Sequence, residues 1–420
     1  MALLPPALAA TAVDPVEPSL LCDITIDGER ITAVAAAGST TAPVGATVAD
    51  LAGALVFPAF VDAHVHLDKA HTWYRAPNRT GTFFDALSTL GQDAKNWTAA
   101  DLERRAEFSL QSAYAHGTRI IRTHLDTRLT WGDTSHRVMA GLRQRWAGRI
   151  ELQTVPLCGI ADFAGPDAGG LADLAIGHGA VALGGFAVMS AELPGYFDRQ
   201  LALARERGVG LDLHVDENGN PDSECLRLVA EAVLRSEFPY PVVCGHCCSL
   251  SVQPPERQRA TIDLVKAAGI RVISLPLCNL YLQDRRTAGF PRNPHWRGLT
   301  LIQDLLDAGV PVACASDNVR DAFYAFGDFD LLEVYTQSVR LAHLDTRLAE
   351  SVRVVTSTAA VCVDRPEYGQ IAPGAPAHLV ISAARSFSDL LSRPAAPRQC
   401  VDGEKIHVPP LPDYRELAQS

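Results

Sequence analysis

Residues 57–69 have the sequence FPAFVDAHVHLDK, in which an apolar run ends in two histidines separated by one residue. Alternate side chains of a β-strand lie on the same face, so His64 and His66 point in the same direction. Two imidazoles side by side are suited to holding one metal ion. The stretch therefore predicts a strand that carries part of a metal site at its C-terminal end.

Seven more apolar, β-branched runs follow along the chain, separated by segments with helical spacing such as 99–114, 135–146, 196–207, 223–235, 256–268 and 301–308. Regular alternation of strands and helices is typical of parallel βα units. Eight such units favour a closed (β/α)8 TIM barrel of the α/β class over an open sheet. The predicted strands are 55–66, 118–126, 150–157, 180–187, 210–216, 241–248, 271–277 and 311–317.

The two chain ends have a different pattern, with short strands around the turn signals Asp27-Gly28 and Asp402-Gly403. We expect them to form one small β-sandwich domain from residues 1–54 and 368–420, flanking a barrel of residues 55–367. The apolar segment 1–13 lacks a basic residue and contains Pro5-Pro6, so we expect an ordered terminus and not a secretion signal.

Composition excludes several classes of function. The formal net charge is −11 and the sequence contains no Lys/Arg run, so we expect no nucleic acid partner. No apolar stretch approaches the length of a membrane span. Ten cysteines in 420 residues are too few for a disulfide scaffold and indicate free thiols in the cytoplasm. We expect a homo-oligomer that acts on a small molecule.

Polar residues end most of the predicted strands, and the C-terminal ends of barrel strands meet at one face. His64 and His66 end the first strand, His214 the fifth, His246 the sixth and Asp317 the eighth. Three neutral imidazoles and one carboxylate leave a divalent ion with a position for water, which becomes available as hydroxide near neutral pH. We therefore predict metal-dependent hydrolysis.

The motifs FPAFVDAHVHLDKAHT, HVDEN, GHCC, LPLCNLYLQDR and ASDNVRDAF resemble those of the amidohydrolase superfamily, and within it the cytosine deaminase group. The resemblance covers residues 20–380. It implies metal binding by His64, His66, His214 and Asp317. Members with two ions carry a lysine on strand 4, and this chain has none in AVALGGFAVM, so one ion, Zn or Fe(II), is expected.

The same resemblance implies three catalytic residues: Glu217, in its His-x-Asp-Glu context, moves protons between water and substrate; His246 orients the hydroxide; and Asp317 takes the water proton. His124 and Asp126 are expected to support the site or anchor loops.

The substrate contacts depart from the family pattern. Cytosine deaminases bind the pyrimidine amide through a glutamine after strand 3. The corresponding segment here, QTVPLCGI at 153–160, has no glutamine at the equivalent place, and Cys158 is the nearest candidate. We predict further contacts from Gln283 and from Phe323, which replaces the family's tryptophan. Lys69 contacts the substrate or pairs with a carboxylate such as Asp68, and Arg320 lies at the mouth.

Three classes of function follow. Hydrolytic deamination of a cyclic amidine or guanidine by metal-bound hydroxide is favoured because Glu217 follows His214. Removal of a substituted amine from a triazine-type ring is the alternative, since the chain also resembles N-isopropylammelide isopropylaminohydrolase, whose strand-5 segment lacks that glutamate. A binding protein without catalytic activity is disfavoured by the complete ligand set.

Overall fold

The structure is a computed structural model that describes residues 2–4, 20–39, 41–42, 44–127, 132–285 and 292–418. In chain order its strands are β1 (Ala2–Leu4), β2 (Leu20–Asp27), β3 (Arg30–Ala36), β4 (Ala54–Pro58), β5 (Phe60–Val65), β6 (Thr118–Asp126), β7 (Glu151–Leu157), β8 (Ala182–Phe186), β9 (Gly210–Val215), β10 (Val242–His246), β11 (Arg271–Ser274), β12 (Val312–Cys314), β13 (His378–Ser382), β14 (Arg398–Asp402) and β15 (Lys405–His407).

The helices surround the barrel or follow its last strand. They are α1 (Phe83–Asp93), α2 (Ala99–Ala115), α3 (Gly132–Arg145), α4 (Ala168–Gly177), α5 (Leu193–Arg207), α6 (Cys225–Ser236), α7 (Pro255–Ala267), α8 (Pro276–Leu282), α9 (Ile302–Ala308), α10 (Leu331–Ala342), α11 (Leu348–Ser351), α12 (Ser357–Cys362) and α13 (Phe387–Ser392). No helix in the described ranges is long and apolar enough to cross a membrane.

Strands β5 to β12 run parallel and pair in sequence order within two sheets, β5-β6-β7 and β8 to β12. Single bridges join Gly159 to Phe186 and Val65 to Asp317, so the ring closes between β7 and β8 and between β12 and β5. The parallel barrel predicted from the alternating pattern is thus observed.

Strand β9 shows why the sequence has this pattern. Leu211, Leu213 and Val215 pack into the large core between strands and helices. The residues between them, Asp212 and His214, belong to the opposite face and are also buried. Apolar residues alternate with functional ones because one face meets helices and the other meets the barrel interior.

Both chain ends contribute to one mixed seven-stranded sheet, ordered β15-β14-β13-β4-β1-β2-β3. Strands from both ends thus share a single sheet, and the two facing sheets of a sandwich are not confirmed. The division into a terminal domain and a barrel domain stays a prediction. Residues 1, 5–19, 40, 43, 419 and 420 of the predicted domain, including most of the 1–13 segment, lie outside the described residues.

The predicted first strand, 55–66, is divided at Ala59. The Ala59 N–H donates to the His378 carbonyl in the terminal sheet, whereas the Phe60 N–H donates to the Gly117 carbonyl beside the barrel. Residues 56–58 pair with β13 and residues 54 and 55 pair with β1, so none of them pairs with a barrel strand. The predicted barrel boundary at residue 55 therefore moves to the residue where the chain changes its hydrogen-bonding partner.

Candidate metal centre and active site

Four buried side chains converge at the C-terminal ends of β5, β9 and β12. Nε2 of His214 lies 3.1 Å from Nε2 of His64 and 3.3 Å from Nε2 of His66. Oδ1 of Asp317 lies 3.3 Å from Nε2 of His66 and 3.8 Å from Nε2 of His64. The structure thus brings together all four residues that the sequence suggested as metal ligands.

The donor atoms fit a divalent ion. Ligands about 2.1 Å from a tetrahedral ion lie about 3.4 Å apart, close to the separations seen among these atoms. Both carboxylate oxygens of Asp317 are buried and lack a hydrogen-bond partner within the described ranges. Burial, followed by the neighbouring imidazoles, lowers the pKa of His64 and His214 well below the ordinary value, which keeps both rings in the neutral form that binds metal.

The backbone is left-handed where several strands deliver their functional side chains. Asp216, His246 and Asp317 have φ of 53°, 70° and 61°. A residue with a Cβ adopts this conformation at a cost of about 1–3 kcal/mol, and such residues cluster at functional sites. Each left-handed residue bends the chain sharply, so that one side chain faces the centre of the site and the next faces the surrounding loops.

Glu217 and His246 lie together beside the four convergent side chains. Nδ1 of His246 is 3.5 Å from Oε1 of Glu217, and Asn279 on α8 donates to the same oxygen at 3.4 Å. Burial, and then the charge of Asp317, raise the pKa of Glu217 well above its ordinary value. A carboxyl group whose pKa is raised in this way is suited to general acid catalysis.

Lys69 is buried and pairs with Asp126, with Nζ 2.9 Å from Oδ2. The predicted partner, Asp68, instead accepts the Asp126 N–H at 2.7 Å, because its side chain turns towards the backbone of β6. Burial opposes the charge of Lys69, but Asp126 and Asp68 outweigh it and raise its pKa. The ammonium group lies 5.6 Å from the centre of the Phe323 ring.

The other predicted substrate contacts are not all at the site. The side-chain amide of Gln283 donates to the backbone carbonyl of Glu217 at 3.2 Å, so Gln283 contacts the loop that carries Glu217. Phe323 packs edge-on against Phe83 at 5.8 Å. Arg320 stacks its guanidinium 4.9 Å and 4.2 Å from the rings of Tyr74 and Tyr414. Cys158 packs in the core between strands and helices, and this placement differs from the predicted pocket position.

A polar layer inside the barrel was not predicted as a unit. Arg122 lies 3.0 Å from Asp212 and donates to Gln153 at 2.9 Å. Nε2 of His124 is 3.5 Å from Asp212, and its ring lies 4.0 Å from that of His64. The spacing in the sequence could have indicated this layer. Asp212 stands two residues before His214, and Arg122 stands two residues before His124, so each pair shares a face of its strand.

A family model described as "Amidohydrolase family" matches residues 47–130 and 166–402, well over half of the chain. The chain belongs to the amidohydrolase family. The superfamily resemblance found in the sequence is thereby confirmed.

Two curated relatives are similar in sequence. A pterin deaminase of Rhizobium rhizogenes strain K84 is 45% identical over 380 residues, which cover 90% of this chain and 86% of the relative. An N-isopropylammelide isopropyl amidohydrolase of Pseudomonas sp. strain ADP is 26% identical over 333 residues, 76% of this chain and 77% of the relative.

Two solved structures resemble nearly the whole chain. A 5-methylcytosine deaminase from Klebsiella pneumoniae, liganded with 5-fluorocytosine, has a TM-score of 0.83 and 26% identity, covering 98% of this chain and 97% of that one. An N-isopropylammelide isopropylaminohydrolase from Burkholderia multivorans, at 23% identity and a TM-score of 0.77, shares the fold, with 96% and 97% covered. The chain is thus a metal-dependent hydrolase of the group that deaminates nitrogen heterocycles.

Strand β8 distinguishes this amidohydrolase from members with a bridging lysine on strand 4. A Cβ at Gly184 would lie 2.3 Å from the Pro156 carbonyl oxygen, so no side chain fits there. The next residue on the same face, Phe186, pairs in register with His214 and is 44% exposed. The strand therefore presents an open aromatic ring at the mouth in place of a lysine.

Proposed function

We propose that this protein is a pterin deaminase, which hydrolyses the exocyclic amine of a 2-amino-4-oxopteridine. Water supplies the oxygen that becomes the second ring carbonyl, the C2–N bond breaks, and ammonia leaves. The observation that carries the proposal is the 45% identity with a pterin deaminase over 90% of the chain. A pterin contains the cyclic guanidine that the sequence motifs favour.

His64, His66, His214 and Asp317 would hold one divalent ion, Zn or Fe(II). Such an ion lowers the pKa of a water molecule to about 7 and so supplies the nucleophile at neutral pH. The absence of space at Gly184 and the phenylalanine at position 186 support a single ion, because neither can provide a bridging carboxylated lysine.

Two carboxyl groups transfer the protons of the reaction. Asp317 would accept a proton from the attacking water. Glu217 delivers its proton to the ring nitrogen beside C2. It then takes up the proton of the new hydroxyl on C2 as the carbonyl forms and passes it to the departing amine, so that ammonia and not an amide anion leaves. His246 donates a hydrogen bond to the oxygen on which charge develops.

We assign the substrate-facing groups from their positions around Glu217. Lys69 contacts a ring carbonyl or nitrogen, Gln283 braces the loop of Glu217, and Phe323 covers one face of the ring. Phe186 offers an exposed surface against which the second ring of a bicyclic substrate can pack. Cys158 is left out because it packs between the strands and the helices.

A second candidate function is removal of a substituted amine from a triazine-type ring. Its support is the 26% identity with an N-isopropylammelide isopropyl amidohydrolase. We rank it lower because this chain carries Glu217 after His214, whereas the strand-5 segment of that group lacks the glutamate. Cytosine should also be a poor substrate, since Gln153 bonds to Arg122 inside the barrel and no glutamine of 153–160 replaces the family's amide reader.

We propose a cytoplasmic homo-oligomer as the working form. All ten cysteines are buried, and none of them forms a disulfide in the described part of the chain, as expected for a reducing compartment.

The test is ammonia release by protein loaded with Zn or with Fe(II), measured with pterin, cytosine, isocytosine, N-isopropylammelide and creatinine. We expect kcat/KM of about 10⁴ M⁻¹s⁻¹ or more for pterin, within the ordinary enzyme range. A value near 10⁵ M⁻¹s⁻¹ for cytosine with no turnover of pterin would refute the assignment. Release of isopropylamine in preference to ammonia would establish the second candidate.

A further inference from the structure

Asn279 lies between the two groups that flank the metal centre. It stands in the second turn of α8, is 1% exposed, and has its backbone N–H bonded to the Leu275 carbonyl at 3.1 Å. Its Nδ2 is 3.1 Å from Nδ1 of His246 and 3.4 Å from Oε1 of Glu217. A single amide therefore contacts both residues proposed to act on the reacting atoms.

The two hydrogens of this amide nitrogen match two acceptors. Nδ2 donates to the Glu217 oxygen, and because an amide nitrogen cannot accept a hydrogen bond, its contact with Nδ1 of His246 requires that Nδ1 accepts. A nitrogen that accepts a hydrogen bond cannot carry a hydrogen itself, so Nδ1 of His246 is bare. In a neutral imidazole the hydrogen must then reside on Nε2.

Nε2 of His246 faces the convergent side chains. A ring nitrogen of His246 groups with donor atoms of His64 and Asp317, all within 4.8 Å of one another. Within the described part of the chain, Nε2 of His246 is buried and has no hydrogen-bond partner. A hydrogen on that atom is available only to a molecule bound in the active site.

We propose that Asn279 is a positioning residue that fixes His246 as its Nε2–H tautomer, so that His246 donates a hydrogen bond into the site. The other amide hydrogen holds the carboxyl group of Glu217. The role of His246 in turnover rests on the proposed function. The tautomer of His246 is a property of the folded chain alone. As a donor, His246 stabilises negative charge on oxygen and takes up no proton at Nε2.

Two substitutions separate tautomer control from packing. Asn279→Ala removes the amide, so the ring can adopt either tautomer, and kcat should fall about 10-fold. Asn279→Asp keeps the shape but places a carboxylate against Nδ1, which then carries the hydrogen and leaves Nε2 bare. We expect kcat to fall about 10²-fold or more, the scale for loss of an oxyanion donor, with KM changed only a few-fold. A structural role alone predicts the opposite order, because the isosteric variant would be the milder one.

The direct readout is long-range ¹H–¹⁵N correlation spectroscopy of protein labelled with ¹⁵N-histidine, with and without Zn, using His246→Gln to assign the ring. The wild type should show the hydrogen on Nε2, and Asn279→Asp should show it on Nδ1. A hydrogen on Nδ1 in the wild type overturns the proposal, as does an Asn279→Asp variant that turns over as fast as Asn279→Ala. If no substrate is deaminated, the proposed function fails, while the spectrum still decides the tautomer. If Asn279→Asp does not fold, the wild-type spectrum remains decisive.

Discussion

Glu217 is the residue whose replacement most directly tests the chemistry. Glu217→Gln keeps the size of the side chain and the contact with Asn279 but removes the titrating proton. We expect unchanged metal content and a loss of turnover of roughly 10² or more, the scale for a lost general acid–base group. Elemental analysis and initial rates measure the two quantities, and Glu256→Gln on α7 is the control. Turnover near that of the wild type would remove Glu217 from the mechanism.

Asp317 is expected to behave differently, because one carboxylate both binds the ion and accepts a proton. Asp317→Ala should lower metal content below the one ion per chain expected of the wild type and abolish deamination together. The comparison with Glu217→Gln separates binding from proton transfer. Full metal occupancy in Asp317→Ala would remove Asp317 from the ligand set, and two ions per wild-type chain would contradict the single-ion proposal.

At the residue scale, the sequence located side chains by their distance from strand ends but could not always assign their face. His64, His66 and His214 were located because each ends a strand whose inward face follows from its alternation. Cys158 stands one residue beyond Leu157, and a step of one residue moves a side chain to the other face of a strand. The helical placement of Asn279 was not predictable, because α8 begins at Pro276 where the sequence indicated a longer strand, 271–277.

At the scale of single elements, β8 depends on a residue with no side chain. Gly184→Ala would place a Cβ 2.3 Å from the Pro156 carbonyl oxygen and 3.0 Å from the Asp212 carbonyl oxygen, and strand backbones cannot move apart without losing hydrogen bonds. We expect destabilisation by about 1–3 kcal/mol, the usual cost of overpacking. Thermal unfolding measures it.

The matched control is Gly141→Ala on α3, where a Cβ meets nothing within 4 Å. Alanine favours a helix over glycine by up to about 1 kcal/mol, so this variant should be as stable as the wild type or more so. If Gly184→Ala were as stable as Gly141→Ala, the close approach at β8 would not constrain the strand.

The alternation of elements was predictable because parallel strands that are covered by helices impose a regular pattern on the sequence. The break at Ala59 was not predictable from the sequence, because the residues on both sides of it are apolar and buried. Only the hydrogen-bonding partner of the chain changes there. The strand after 270 ends early because Pro276 lies at the start of α8, where proline is favoured.

At the scale of the whole molecule, Asp402 joins the terminal sheet to the barrel. It accepts hydrogen bonds from Tyr114 at 2.8 Å and from Arg119 at 2.7 Å, and contacts His378 and His407 at 3.1 and 2.8 Å. Burial opposes its charge, but the bonds from His378, Arg119 and Tyr114 outweigh it, so the pKa of Asp402 lies below its ordinary value. A carboxylate of β14 thus anchors groups from α2 and β6.

Asp402→Asn should destabilise the protein by about 2 kcal/mol at pH 7, because an amide cannot neutralise the buried Arg119. A pKa that is lower in the folded state stabilises the protein above the ordinary aspartate value and ceases to do so as pH falls through the folded value. The difference between wild type and variant should therefore shrink below about pH 4. Denaturant unfolding at several pH values checks this, with the exposed Asp413→Asn as control. A difference independent of pH would contradict it.

The pairing of Phe57 with Val380 also has a consequence for biosynthesis. At about 5–20 residues per second, a ribosome needs roughly 15–60 s to add the intervening ~320 residues. Throughout that interval one edge of β4 has no partner, and an open apolar edge is a template for aggregation. The nascent chain must therefore be protected until its last segment emerges. A message truncated before β13 would yield a barrel whose first strand, β5, follows a β4 strand with one unpaired edge.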